Sequence, residues 1–105
     1  MFAEFHAGEI VTLSEYFTLE VEPTDNPDIR EFITNQRLSD GGEEHYADAA
    51  SGEMGSPIAQ VLFHAVDGIH SLTIDDDTLI VRRQPDVLWE ALIDDIRDCL
   101  RDFFL

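Results

Sequence analysis

The side chains with reactive or metal-binding potential in this sequence are four histidines, one cysteine and five serines, set among 23 acidic residues. His6, His45, His64 and His70 are scattered. None has a second histidine four residues away or a cysteine partner, so their spacing builds no tight transition-metal site and each reads as a surface histidine. Asp75-Asp76-Asp77 lacks the alternating ligand positions and central glycine of a calcium loop, and reads as a solvated turn. Glu43-Glu44-His45 puts two carboxylates and an imidazole in a segment with nothing to hold their geometry. No metal is assigned on these grounds. Cys99 cannot form a disulfide within the chain, which fits a reducing, intracellular setting. It falls at the edge of an apolar helical face beside Leu92 and Ile96, without a nearby base to activate it, and reads as boundary packing. Ser56 is explained as a helix cap, and Ser14, Ser39, Ser51 and Ser71 have no neighbouring base. The expectation is a protein that is not an enzyme and carries no cofactor of its own.

Two rigid corners remain as contact sites for a partner. Pro23-Thr24-Asp25-Asn26-Pro27 is one, and Gly55-Ser56-Pro57 is the other. Loops held by proline and glycine present exposed groups at low entropic cost, and loops carry sites more often than the strands that support them.

The elements that must position these corners follow from periodicity. Apolar residues alternate at Val11, Leu13, Phe17, Leu19 and Val21, the period of a strand, with a bulge or break near Ser14 to Tyr16. Residues 1–9 carry no firm pattern, and 1–16 are treated as an extension of uncertain structure. Pro23 to Pro27 ends the first strand, and a second follows from Ile29 to about Ile33 with Phe32 inward. Residues 39–54 turn to Gly, Glu, Asp, Ala and Ser and read as an acidic, Gly-rich loop that can contain a short element anchored by Tyr46. Ser56 as cap, Pro57 at the first helical position and Gly68 as a left-handed exit then bound a helix whose apolar face is Ile58, Val61, Leu62 and Ala65. His70 to Ile74 and Thr78 to Arg83 flank the aspartate turn as a hairpin. Asp86 caps a final amphipathic helix with Trp89, Leu92, Ile93, Ile96, Leu100, Phe103 and Phe104 on one face. This order predicts one α+β domain over residues 1–105: two layers, a mainly antiparallel sheet, and two helices on one of its faces.

Charge narrows the partners. The formal net charge is −17, with six arginines and no lysine. Such a surface repels phosphate backbones and anionic lipid, so neither nucleic acid nor membrane is expected. The same composition keeps a protein hydrated in concentrated salt, which raises a halophilic source as an expectation. Nothing in the strand–helix order forms a glycine-rich phosphate cradle. No basic leader or long apolar run precedes Arg30, and a cytoplasmic location is expected.

The motifs themselves resemble a family. Glu22-Pro23-Thr24-Asp25-Asn26-Pro27 followed by Phe32-Ile33, Gly55-Ser56-Pro57-Ile58-Ala59 with Leu62-Phe63 and Gly68-Ile69, then Leu79-Ile80-Val81 and Trp89 are similar in order and spacing to the N-terminal domain of Nfu (NifU-like) iron–sulfur scaffold proteins, from about Phe17 to Phe103. The resemblance implies a small α+β domain acting as an accessory or interaction module of iron–sulfur cluster assembly. Its partners would be a scaffold, carrier or client protein, and weak iron binding is implied by the family alone. The C-x-x-C motif that holds clusters in the scaffold proteins is absent from these 105 residues, so cluster carriage does not transfer. Glu31 stands where the family often has a basic residue. The alternative function is an acidic stand-alone adaptor unrelated to cluster biogenesis.

Overall fold

Leu19 and Val21 point inward and Glu20 outward along β1 (Leu19–Pro23), so alternation makes this strand as expected. The computed structural model describes residues 17–105; the proposed extension at 1–16, with Val11 and Leu13 of the expected strand, lies outside the described residues. β1 closes on Pro23, which suits a strand that lies at the edge of the sheet among the described residues. β2 (Ile29–Thr34) pairs antiparallel with β1 and buries Phe32 and Thr34. Thr34 is polar and buried, and its Oγ1 donates to the carbonyls of Gln36 and Asp77.

Residues 39–54 contain more order than a loop. β3 (Glu44–Tyr46) forms the far edge of the sheet, and a single helical turn, α1 (Ala49–Gly52), follows under a reciprocal Asp48–Ser51 cap. The backbone and side-chain bonds from Ser51 hold the Asp48 carboxyl below its usual range. Tyr46 is the anchor: its hydroxyl donates to Glu44 at 2.6 Å and accepts from the Ser56 N–H at 3.1 Å.

α2 (Pro57–Ala65) starts where expected, under the Ser56 cap with Pro57 in its first turn. Its end differs from the expectation. The helix stops at Ala65 with Val66 extended, and the positive φ of +105° at Gly68 serves the turn into the next strand rather than the helix exit. Val66 leaves the helix and is buried in the core. The buried set is Ile58, Ala59 and Leu62, while Ala65, expected inside, is exposed.

β4 (Ile69–Asp75) and β5 (Thr78–Arg83) form the expected hairpin around Asp76-Asp77, with Asp76 left-handed at φ +55°. Leu38 and Ser39 N–H groups donate to the Asp76 carbonyl, and Ser39 Oγ accepts from the Asp76 N–H, so the segment after β2 is strapped to this turn. α3 (Trp89–Phe104) is the final helix. Asp86 does not cap it: the cap position is Leu88, without a side-chain bond, because Pro85-Asp86 form a separate turn before Val87 packs against Gly68.

The strand order is β1-β2-β5-β4-β3, with every neighbouring pair antiparallel. Leu19, Val21, Phe32, Leu72, Ile74, Leu79 and Val81 line one face and meet Ile58 and Leu62 of α2 and Trp89, Leu92, Ile96 and Leu100 of α3. The architecture is therefore α+β, as the periodicity predicts. Phe104 stacks on Phe17 at 5.9 Å, whereas Phe103, expected in the core, is 41% exposed. Among the described residues no helix is long and apolar enough to cross a membrane.

Candidate functional site

The 23–27 corner is a hydrogen-bonded knot. Thr24 Oγ1 donates towards the carbonyls of Asn26 and Ile29, at 3.0 and 2.9 Å, and accepts from the Asn26 N–H. Asn26 Oδ1 accepts from the Asp28 N–H at 2.9 Å, and the Ile29 N–H donates to the Asn26 carbonyl. Two prolines bound the knot, each fixing its own φ and donating nothing. The local sequence thus spends its polar groups internally and holds the corner in one shape.

That corner is one wall of a cavity of about 510 Å³, whose remaining lining is Ile29, Arg30, Arg83 and Trp89. Three elements meet there. Trp89 opens α3 and is 7% exposed; its indole N–H donates to the Pro27 carbonyl at 2.9 Å, which ties the helix start to the corner. Arg30 sits opposite Pro23 in the β1–β2 register, and its guanidinium carbon lies 5.2 Å from the centre of the Trp89 ring. Arg83 ends β5, lies 5.4 Å from the same ring centre, and is held by Asp28 at 3.1 Å and by the Val87 carbonyl at 3.0 Å. A bulge at His70 makes this geometry possible. The register slips between Ile69 and Ser71, so Ile69 and Arg83 both face the helices while His70 is turned out to solvent.

The two expected corners are not brought together. Pro23 to Pro27 lies at the sheet end formed by Arg30, Ile69 and Arg83, whereas Gly55-Ser56-Pro57 lies towards the end bearing Thr34 and the Asp76-Asp77 turn. Ser56 and Pro57 border a smaller cavity of about 270 Å³ with Arg37, Asp40, Glu44 and Phe103. Ser56 is committed to capping and to Tyr46, and Gly55 is present because Tyr46 lies against it. Sequence reasoning missed Arg30 and Arg83 and assigned Trp89 to the core alone. Their signal is weak: two arginines flanking a tryptophan in space, 53 positions apart in the chain, are visible only after the strands are paired.

The ionisable side chains that line this cavity are Asp25, Arg30 and Arg83. Cys99 is half-buried elsewhere on α3, and burial, with Asp102 nearby, pushes its thiol up to about 11. Among the described residues no three His, Cys, Asp or Glu side chains come together as a metal site. The arrangement can hold an extended polar or anionic group against an aromatic wall.

Comparison with known proteins bears on the family and the fold. A family model described as scaffold protein Nfu/NifU N terminal matches residues 19–105. No curated protein sequence matches the chain. Among solved structures, a NifU-like protein from Saccharomyces cerevisiae superposes with a TM-score of 0.69 at 20% identity, over 97% of this chain and 90% of that one. A Staphylococcus aureus protein gives 0.63 at 12% identity, over 88% and 98%. One from Staphylococcus epidermidis gives 0.51 at 16% identity, over 90% and 98%. At these identities the structures speak for the fold.

Proposed function

This chain belongs to the Nfu/NifU scaffold N-terminal family, whose model spans residues 19–105, and from that premise we propose that it is a non-catalytic docking module of iron–sulfur cluster assembly. The cluster travels as cargo on the partner, a scaffold, carrier or client protein that bears C-x-x-C. This chain supplies position and specificity and holds no cofactor. Cys99 is its one cysteine and its thiol is held protonated, which supports placing the cluster ligands on the other protein. A cytoplasmic setting accords with a single, undisulfided cysteine.

One observation carries the reading. One of the two motifs that resemble the family, Pro23 to Pro27, is a wall of the larger cavity and is rigid before any partner arrives. A preformed wall spares the ordering cost that a flexible loop would incur on binding. The test is surface-immobilised binding between this chain and purified C-x-x-C proteins from the same cell, each with and without its cluster. Saturable binding to at least one is expected, weakened about tenfold by Asp25→Trp, which places bulk at the cavity mouth without removing a bond of the knot. If every such protein fails to bind, the docking role in cluster assembly is wrong and the unrelated adaptor takes its place.

A further inference from the structure

We propose that the cavity beside Trp89 receives a single carboxylate carried by an otherwise apolar segment of the partner. This rests on the docking reading and names its chemistry.

The first ground is the accounting of guanidinium groups. Arg97 and Arg101 are each bracketed by two aspartates, Arg37 faces Asp76, and Arg83 is spent on Asp28 and the Val87 carbonyl. Arg30 has no carboxylate partner among the described residues, although the chain carries a net charge of −17. Arg82 is likewise without one among the described residues, but it pairs with Ser71 and Ile29 on the sheet face away from Trp89 and lines a separate cavity of about 190 Å³ with Asp28 and His70. Arg30 is the guanidinium left uncompensated, among the described residues, at the lining of the cavity beside Trp89. It is half-buried and rests against an aromatic ring, which restricts a flexible side chain and aims a planar donor fork. A carboxylate matches such a fork with two parallel hydrogen bonds, and Arg83 and Asn26 border the same space.

The second ground is the field of the whole molecule. Every negative charge on a ligand is repelled by the surface, so a polyanion loses at long range what it gains at one arginine. A lone carboxylate avoids most of that repulsion and forms its pair at contact distance. The third ground is the lining: beside the exposed Asp25, Pro23, Pro27, Ile29 and Trp89 supply apolar surface that suits apolar neighbours of the carboxylate.

The test is an NMR titration of the full chain with the capped tripeptide acetyl-Leu-Glu-Leu-amide, its Gln counterpart, and inorganic phosphate at matched ionic strength. The Glu peptide should shift the Trp89 indole N–H and the backbone N–H groups of Asn26 and Arg30, and bind at least tenfold tighter than the Gln peptide or phosphate. Arg30→Gln should abolish this binding, Arg30→Lys should retain part of it, and Arg97→Gln, outside the cavity, should leave it unchanged. Amide spectra of each variant establish that it is folded. Equal binding of the Gln peptide or phosphate, or full binding by Arg30→Gln, overturns the assignment. The same variants are measured against the iron–sulfur partner. Partner binding that survives Arg30→Gln sinks the carboxylate and leaves the docking role standing, whereas peptide binding without any iron–sulfur partner removes the docking role and leaves the cavity assignment standing.

Discussion

Trp89 is the residue on which core and site depend together. It fills the core beside Phe32, at 6.3 Å between ring centres, while its N–H holds Pro27 and its ring underlies two arginines. Trp89→Phe keeps most of the buried area and deletes the indole bond, so urea unfolding should report a loss of about 1 kcal/mol for one buried hydrogen bond. The amide signals of residues 24–27 should move in the same variant, since the corner loses its tie to α3. Cys99 makes a separate prediction at this scale. Its thiol is raised from 9.0 to about 11, chiefly by burial and further by Asp102. Two units correspond to about a hundredfold smaller thiolate fraction near pH 8, so iodoacetamide should alkylate the native protein far more slowly than the urea-unfolded chain. The linkage has a definite sign: a raised acid pKa favours the folded state's protonated form, so this contribution is present below pH 9 and is lost as pH rises towards 11. Equal native and unfolded rates would show that Cys99 is open to solvent.

Among the elements, the junction from β3 through α1 to α2 decides how the second corner behaves. A Cβ on Gly55 would sit 2.3 Å from Tyr46 Cε1, and one on Gly52 would sit 2.0 Å from Phe63 Cδ2. These glycines are present for close approach of an aromatic ring, because both contacts are far shorter than any side chain tolerates. Gly55→Ala should therefore cost about 1–3 kcal/mol by overpacking, measured as a shift of the urea midpoint with an unchanged slope. It should leave ligand shifts at Asn26 intact, because the two corners border different cavities. An equal loss of binding at the first corner would mean that the two ends of the sheet are coupled. The bulge at His70 is the corresponding device at the other end, turning Arg83 towards α3 without interrupting the β4–β5 pairing.

At the scale of the whole molecule, 23 carboxylates face 6 arginines, and much of the charge is unpaired on the surface. Even the outward pair on β1 feels this: a hydrogen bond with Glu22 holds the Glu20 carboxyl above its usual range. Repulsion of this kind weakens with salt, since the screening length falls from about 10 Å at 0.1 M to about 3 Å at 1 M. The melting temperature should rise between 0.1 and 2 M KCl by about 4–8 °C for each kcal/mol of repulsion relieved. A continued rise above 1 M, where screening is already short-ranged, would support adaptation to concentrated salt, and a plateau there would count against it. The sequence alone determined β1, β2, the β4–β5 hairpin, the core alternation, both main helices and the Ser56 cap, since each depends on neighbours within a few residues, whereas it left β3 inside a loop. It also marked Pro23 to Pro27, because prolines and Asx chemistry shape a turn without help from the rest of the chain. It misplaced the exit of α2 and the start of α3, where Val66, Gly68 and Val87 answer to packing across the fold. The cavity was beyond its reach for the same reason. Arg30, Arg83 and Trp89 come from three elements, and only the antiparallel register, a one-residue bulge and the docking of α3 bring their side chains to one place.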